Sequence, residues 1–241
     1  MNAMSANYKQ SRLYKKYRAF RIALKVPGIL LRQRLVDFDV PSLPHFDSDE
    51  TTQWFMEKLA ASKMYLEFGS GGSTCLAAKK GIKFVSVDSD PFFLNSVKNK
   101  IKKENLYRED DQVFHHADVG LTGGWGKPLI IGEPSPERLN KFRKYSDFPS
   151  EIGNKFPLPD LVLVDGRFRV ACALKTLKAL QDQKGWLLLV DDYVNRSKYH
   201  ELPEFGVLQG YVGRMAVFSG LQGGAKDRLD AAIRRYETDP S

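Results

Sequence analysis

Leu66-Glu67-Phe68-Gly69-Ser70-Gly71-Gly72-Ser73-Thr74 decides how this chain of 241 residues folds. A short apolar run at 64–68 ends in glycines, and a helix-forming run opens at Ser73. Glycine lets the backbone turn sharply and come close to a ligand. The first turn of the following helix leaves N–H groups without partners, aimed at that ligand. A second strand, 83–87, ends at Asp88-Ser89, with the acid 17 residues after Gly71. A carboxylate at that point accepts hydrogen bonds from ribose hydroxyls. Strand, glycine turn, helix, strand and acid together make a nucleoside-binding pattern.

Outward from this unit the chain keeps alternating. Helices are expected at 73–80, 91–103, 168–181 and 226–236, and strands at 112–116, 161–164 and 186–190. A last strand pair is expected at 205–208 and 214–218, turning at Gly210-Tyr211. Residues 117–159 are irregular and rich in Gly and Pro, with one helix near 136–145. Their aromatic residues Trp125, Phe142, Tyr145 and Phe148 are expected to wall a substrate. Before the first strand, Asp47 is expected to cap a helix that carries Trp54, Phe55 and Leu59. Alternation of this kind builds a mostly parallel sheet with helices on both faces. The fold class is therefore α/β, Rossmann-like and doubly wound. Residues 46–241 form the domain and 1–45 an arm with a linker.

The identity of the nucleoside rests on the glycine spacing. A dinucleotide fingerprint needs glycine where this chain has Thr74, which disfavours a nicotinamide-dependent oxidoreductase. Glu67-x-Gly69-x-Gly71 resembles the first motif of class I S-adenosylmethionine-dependent methyltransferases. The resemblance covers about 64–219 and implies a seven-stranded sheet with an antiparallel terminal strand. It implies that Glu67, Gly69, Ser70, Gly71, Ser73, Thr74, Asp88, Ser89 and Asp118 contact S-adenosylmethionine, with Asp118 at the adenine.

A second constellation lies at the ends of the fourth and fifth strands: Asp165-Gly166-Arg167 and Asp191-Asp192-Tyr193. Three convergent carboxylates suit a hard divalent cation such as magnesium. They resemble the metal site of catechol-type O-methyltransferases, so Asp165, Asp191 and Asp192 are the candidate catalytic and metal-binding residues. The departures are Asp192 in place of asparagine and Phe168 in place of the family's lysine base. His116 and His200 are the substitutes that titrate near neutrality. Arg167, Arg169, Arg196 and Tyr199 are candidates for holding a small, anionic or sugar-like acceptor; the other reading is that they pair with Asp191, Asp192 or Glu201. The expected activity is methyl transfer to an oxygen or nitrogen nucleophile. The alternative is a cofactor-binding or interaction module without turnover, since fold does not fix function.

The net charge is +8, from 37 basic and 29 acidic residues. Residues 1–34 hold nine basic side chains and no acid, leaving 28 basic against 29 acidic beyond them, a net of −1. A nearly neutral body disfavours a nucleic-acid acceptor. In the arm, Leu13, Tyr17, Phe20 and Leu24 share one helical face until Val26-Pro27-Gly28, which is expected to end the helix. The stripe needs burial somewhere, which favours docking on its own domain or on a second copy as a homodimer. An anionic membrane surface or a nucleic acid are the alternatives. Two cysteines without metal spacing and the lack of a signal-peptide pattern point to a cytoplasmic protein.

Overall fold

The computed structural model describes residues 17, 20, 21, 24, 26–28, 31 and 38–241. In chain order the body comprises α1 (Asp49–Ala61), β1 (Met64–Phe68), α2 (Gly72–Lys80), β2 (Lys83–Asp88), α3 (Pro91–Lys103) and β3 (Gln112–His116). It continues with α4 (Pro136–Tyr145), β4 (Leu161–Val164), α5 (Arg169–Ala179), β5 (Leu187–Val190), β6 (Gly206–Val212), β7 (Met215–Leu221) and α6 (Lys226–Tyr236). The seven strands lie in the order β3-β2-β1-β4-β5-β7-β6. Only β7 runs antiparallel to its two neighbours.

Every residue of β1 is buried, as expected of a central parallel strand covered on both faces. Side chains alternate across it. Leu66 and Phe68 join the core under α4, α5 and α6, while Tyr65 joins the core under α1, α2 and α3. The same alternation sends Glu67 to the α2 side. The strand order reverses between β1 and β4, and their carboxyl ends open the crevice where such sheets bind ligands.

Helix starts follow from capping side chains. Asp90 accepts from the N–H groups of Phe92 and Phe93 at 3.0 and 3.2 Å, with Pro91 in the first turn of α3. Ser135 caps α4 ahead of Pro136 in the same way. In α1 the cap is Ser48, which accepts from Thr51 N–H at 3.2 Å, and not Asp47 as expected. Asp47 is drawn off by the tertiary fold and accepts from the Arg214 N–H at 2.9 Å. The β6–β7 turn also lies later than expected, at residues 213–214, so Gly210 and Tyr211 belong to β6. A side chain at Gly213 (φ +56°) would strike the Asp47 carboxylate, so the turn sits where glycine permits it.

The arm departs from expectation in two ways. Val26, Pro27 and Gly28 are helical, as is Leu31, so the helix does not end at Pro27. Tyr17, Phe20, Leu24 and Leu31 are 56–66% exposed, so their face is not docked on the body. Leu13 lies outside the described residues. Among the described residues no helix is long and apolar enough to cross a membrane.

Candidate functional site

At the end of β1, Glu67 is fully buried and is met by three hydroxyls. Tyr65 donates at 2.9 Å, Ser73 at 2.5 Å, and Thr74 donates to the other carboxylate oxygen. Burial pushes its pKa up, and these bonds oppose that rise. Thr74 also accepts from the Gly71 N–H at 2.9 Å. Glu67 therefore fixes the glycine loop onto the first turn of α2. Its carboxylate faces Ser73 and Thr74, not open space. This also gives position 74 a reason to be threonine.

The glycines divide the work. A Cβ at Gly69 (φ +113°) would lie 2.6 Å from the Gly166 nitrogen, so this position lets the β1 and β4 loops touch. A Cβ at Gly72 would collide with the Leu43 carbonyl, because the linker packs on the start of α2. At Gly71 a Cβ would meet nothing within 4 Å among the described residues, so the open side of the loop is there.

Asp88 ends β2 and is 8% exposed. Its oxygens accept from the Ser70 N–H at 3.0 Å and the Asp90 N–H at 2.8 Å. Burial raises its pKa to about 6 against those backbone bonds. The Ser70 hydroxyl pairs with Ser86 at 2.6 Å. Ser89 donates to the Gly126 carbonyl at 2.8 Å, which draws the Gly124–Gly126 turn beside Asp88. In that turn Trp125 is 93% exposed with φ 60°, an uncommon conformation for a large side chain. Asp118 follows β3 but serves local partners: it accepts from the Gly120 N–H at 2.7 Å and from Lys141 at 2.9 Å. The Lys141 bond is the chief reason its pKa lies below the usual carboxylate value.

Beyond Gly166, the ends of β4 and β5 gather the three aspartates around a buried guanidinium. Arg169, 4% exposed, lies 2.8 Å from the Asp165 carboxylate, 3.5 Å from Asp192 and 3.9 Å from Asp191. It also donates to the carbonyls of Asp165, Gly166 and Asp191. Arg196 meets Asp192 at 2.8 Å and Arg214 approaches it at 3.7 Å. Burial pushes the Asp192 pKa up, but these arginines hold it below the usual value. Asp191 is 5% exposed and shares a side-chain hydrogen bond with Asp165, and among the described residues its Oδ1 has no hydrogen-bond partner. Burial, then the neighbouring Asp165 and Asp192, raise its pKa to about 7. Phe168 (φ 53°) and Asp192 (φ 57°) are both left-handed, so strained backbone flanks the cluster on both strands.

No protein-family model matches the chain, and no curated protein matches it. Solved structures do. A methyltransferase-like protein from Silicibacter pomeroyi is 28% identical, covers 83% of this chain and 100% of its own, and superposes with a TM-score of 0.61. A methyltransferase from Geobacter sulfurreducens is 12% identical over 84% of this chain and 89% of its own, with a TM-score of 0.44. The chain has a class I methyltransferase-like fold.

On that fold the residues around the crevice sort differently from the expectation. The loop residues Glu67 to Thr74 and Asp88 lie together as expected. The divalent cation does not fit the donor set, because Arg169 already lies among the three carboxylates. Among the described residues no group of three or more His, Cys, Asp or Glu side chains is placed to hold a metal ion. Phe168 is fully buried as the residue preceding α5, and Phe142 and Tyr145 are core, so these two rings do not wall a substrate. His116 and His200 are exposed, and His200 lies on the Tyr193 ring, 5.1 Å between centroids. Arg169 and Arg196 pair with Asp191 and Asp192, as the second of the two sequence readings expects; the ion pair of Arg169 with Asp165, four residues before it, is added by the structure. Sequence reasoning missed Tyr145, whose hydroxyl accepts from the Arg167 N–H at 3.1 Å.

Proposed function

We propose that the chain is a methyltransferase that binds S-adenosylmethionine at the ends of β1 and β2. The acceptor is a small molecule with an oxygen or nitrogen nucleophile, seated at the ends of β4 and β5. The observation that carries this reading is the contact between Gly69 and Gly166. It sets the open glycine loop directly beside the aspartate–arginine cluster at the switch in strand order.

S-adenosylmethionine supplies an already activated methyl group, so the protein's work is mainly positioning. The open face of Gly71 leaves room for the cofactor's backbone contacts, and the N–H groups opening α2 border it. Asp88 keeps lone pairs beyond its two backbone bonds, and these suit ribose hydroxyls. Arg169 holds Asp165 and Asp192 in place and supplies the positive charge that a metal would otherwise bring. Asp191 fits the role of proton acceptor, with an orphan oxygen and a pKa of about 7. It would stand in for the lysine that Phe168 replaces.

Calorimetry tests the reading. S-adenosylmethionine and S-adenosylhomocysteine are expected to bind, and NAD is not. Asp88→Ala is expected to weaken binding at least about tenfold, the loss of one or two charged hydrogen bonds. Magnesium in the cell is expected to change neither affinity. Absence of S-adenosylhomocysteine binding to the wild-type protein would sink the proposal.

A further inference from the structure

Resting on the acceptor site just proposed, we infer that the acceptor carries a carboxylate or phosphate group, recognised by Arg167 together with Tyr199 and Arg196.

The charge count at the ends of β4 and β5 motivates this. Arg169 pairs with Asp165, Asp191 and Asp192, Arg196 pairs with Asp192, and Arg214 reaches Asp192 and Asp47. Counting Arg167, four arginines thus stand among four aspartates, the three at the strand ends and Asp47. The arginine that reaches none of them is Arg167. Among the described residues its guanidinium makes no ion pair and donates no hydrogen bond, and its Nε is buried without a partner. Burial lowers its pKa, and the nearby charges of Arg169 and Arg196 lower it further. A cation held against two others in a partly desolvated place is costly unless an anion joins it.

Tyr199 points the same way. It is 1% exposed and its hydroxyl is met by the Arg196 guanidinium, which can only donate, so among the described residues the phenol's own O–H proton has no acceptor. Burial raises its pKa, and the charges of Arg169, Arg196 and Arg167 oppose that rise. An oxyanion bound there would accept from a planar guanidinium fork and from a phenolic O–H. Those are the donors such groups pair with best. An ammonium or neutral sugar acceptor would leave the Arg167 charge uncompensated.

The test is calorimetry on the intact chain saturated with S-adenosylhomocysteine, titrated with inorganic phosphate and separately with acetate. One of the two anions is expected to bind in the millimolar range, and which one binds tells phosphate from carboxylate. Arg167→Gln is expected to weaken it about tenfold or more, and Tyr199→Phe several-fold, with Arg167→Lys keeping part of the affinity. Affinity for S-adenosylhomocysteine is expected to stay within twofold in all three variants. If neither anion binds, or Arg167→Gln binds them like the wild type, the inference is wrong. It is equally wrong if Arg167→Gln loses S-adenosylhomocysteine, because Arg167 then serves the cofactor. Should Arg167→Gln fail to fold, Arg167→Lys and Tyr199→Phe decide on the same readout. If the wild type binds no S-adenosylhomocysteine but binds anions through Arg167, the cofactor reading fails and the anion site stands.

Discussion

The ends of β1 and β2 and the ends of β4 and β5 adjoin in one sheet, yet they treat buried carboxylates in opposite ways. At the first, Glu67 and Asp88 are met by neutral donors: three hydroxyls and two backbone N–H groups. At the second, Asp165, Asp191 and Asp192 are met by arginines. Neutral donors stabilise a carboxylate without cancelling its charge, so the β1–β2 end stays negative. Arginines cancel it, and beside them Arg167 makes no ion pair among the described residues. The division suits the proposed pairing of a cationic sulfonium with an anionic acceptor. The two ends also differ in what their removal should cost.

The largest expected effect is at Arg169. Replacing it with alanine leaves three aspartates crowded together and three carbonyls without a donor. That should cost about 3–5 kcal/mol, the usual penalty for breaking a buried ion-pair network. In thermal unfolding this is a fall of roughly 10 °C for a domain of this size. Arg169→Lys should recover only part, since one ammonium cannot span donors that a guanidinium fork reaches. A loss under about 1 kcal/mol for Arg169→Ala would remove the contrast between the two ends.

A smaller effect is expected at Asp191, and it carries a sign. Its folded pKa of about 7 lies above the ordinary carboxylate value, so the folded state holds the proton more tightly than the unfolded chain. Stability therefore falls as pH rises from about 4 to 7. Asp191→Asn removes the titration and should flatten that slope, gaining on the order of 2 kcal/mol relative to wild type between pH 5 and 7.5. Urea midpoints at the two pH values measure it. Asp88, at about 6, adds a slope of the same sign and stays in both proteins. If Asp191→Asn and wild type lose stability in parallel, the crowding of like charges at this end is overstated.

The smallest effect concerns the arm, which extends the contrast to the whole molecule: surplus positive charge with an exposed apolar face, attached to a near-neutral body. Cosedimentation with phosphatidylserine vesicles at low salt is expected. It should weaken at physiological salt and with Phe20→Asp or Leu24→Asp, because each arm charge contributes about 1 kcal/mol near an anionic surface. Binding to neutral vesicles of equal strength, or none to either, would count against it.

Much of this was legible in the sequence. Residues 64–68, 83–87 and 161–164 read as strands because short, mostly apolar runs end at glycine or acid. The helices at 91–103 and 136–145 read cleanly because each opens on proline behind a capping side chain. The site residues were found by position, at the carboxyl ends of strands. What the sequence left open was which partners they take. Asp192 and Arg169 are 23 residues apart and meet only because β4 and β5 pair in register. Asp47 reads as a cap by local sequence, and Arg214, 167 residues away, takes it.

The sequence by itself determined the order of strands and helices, the glycine loop and the identity of the acids, because these depend on local periodicity and turn chemistry. Only the tertiary structure decided which acids face hydroxyls, which face arginines, and that Arg167 has no ion-pair partner among the described residues. Ion pairing is settled by distances of a few ångströms between strands remote in sequence, and no local pattern carries those distances.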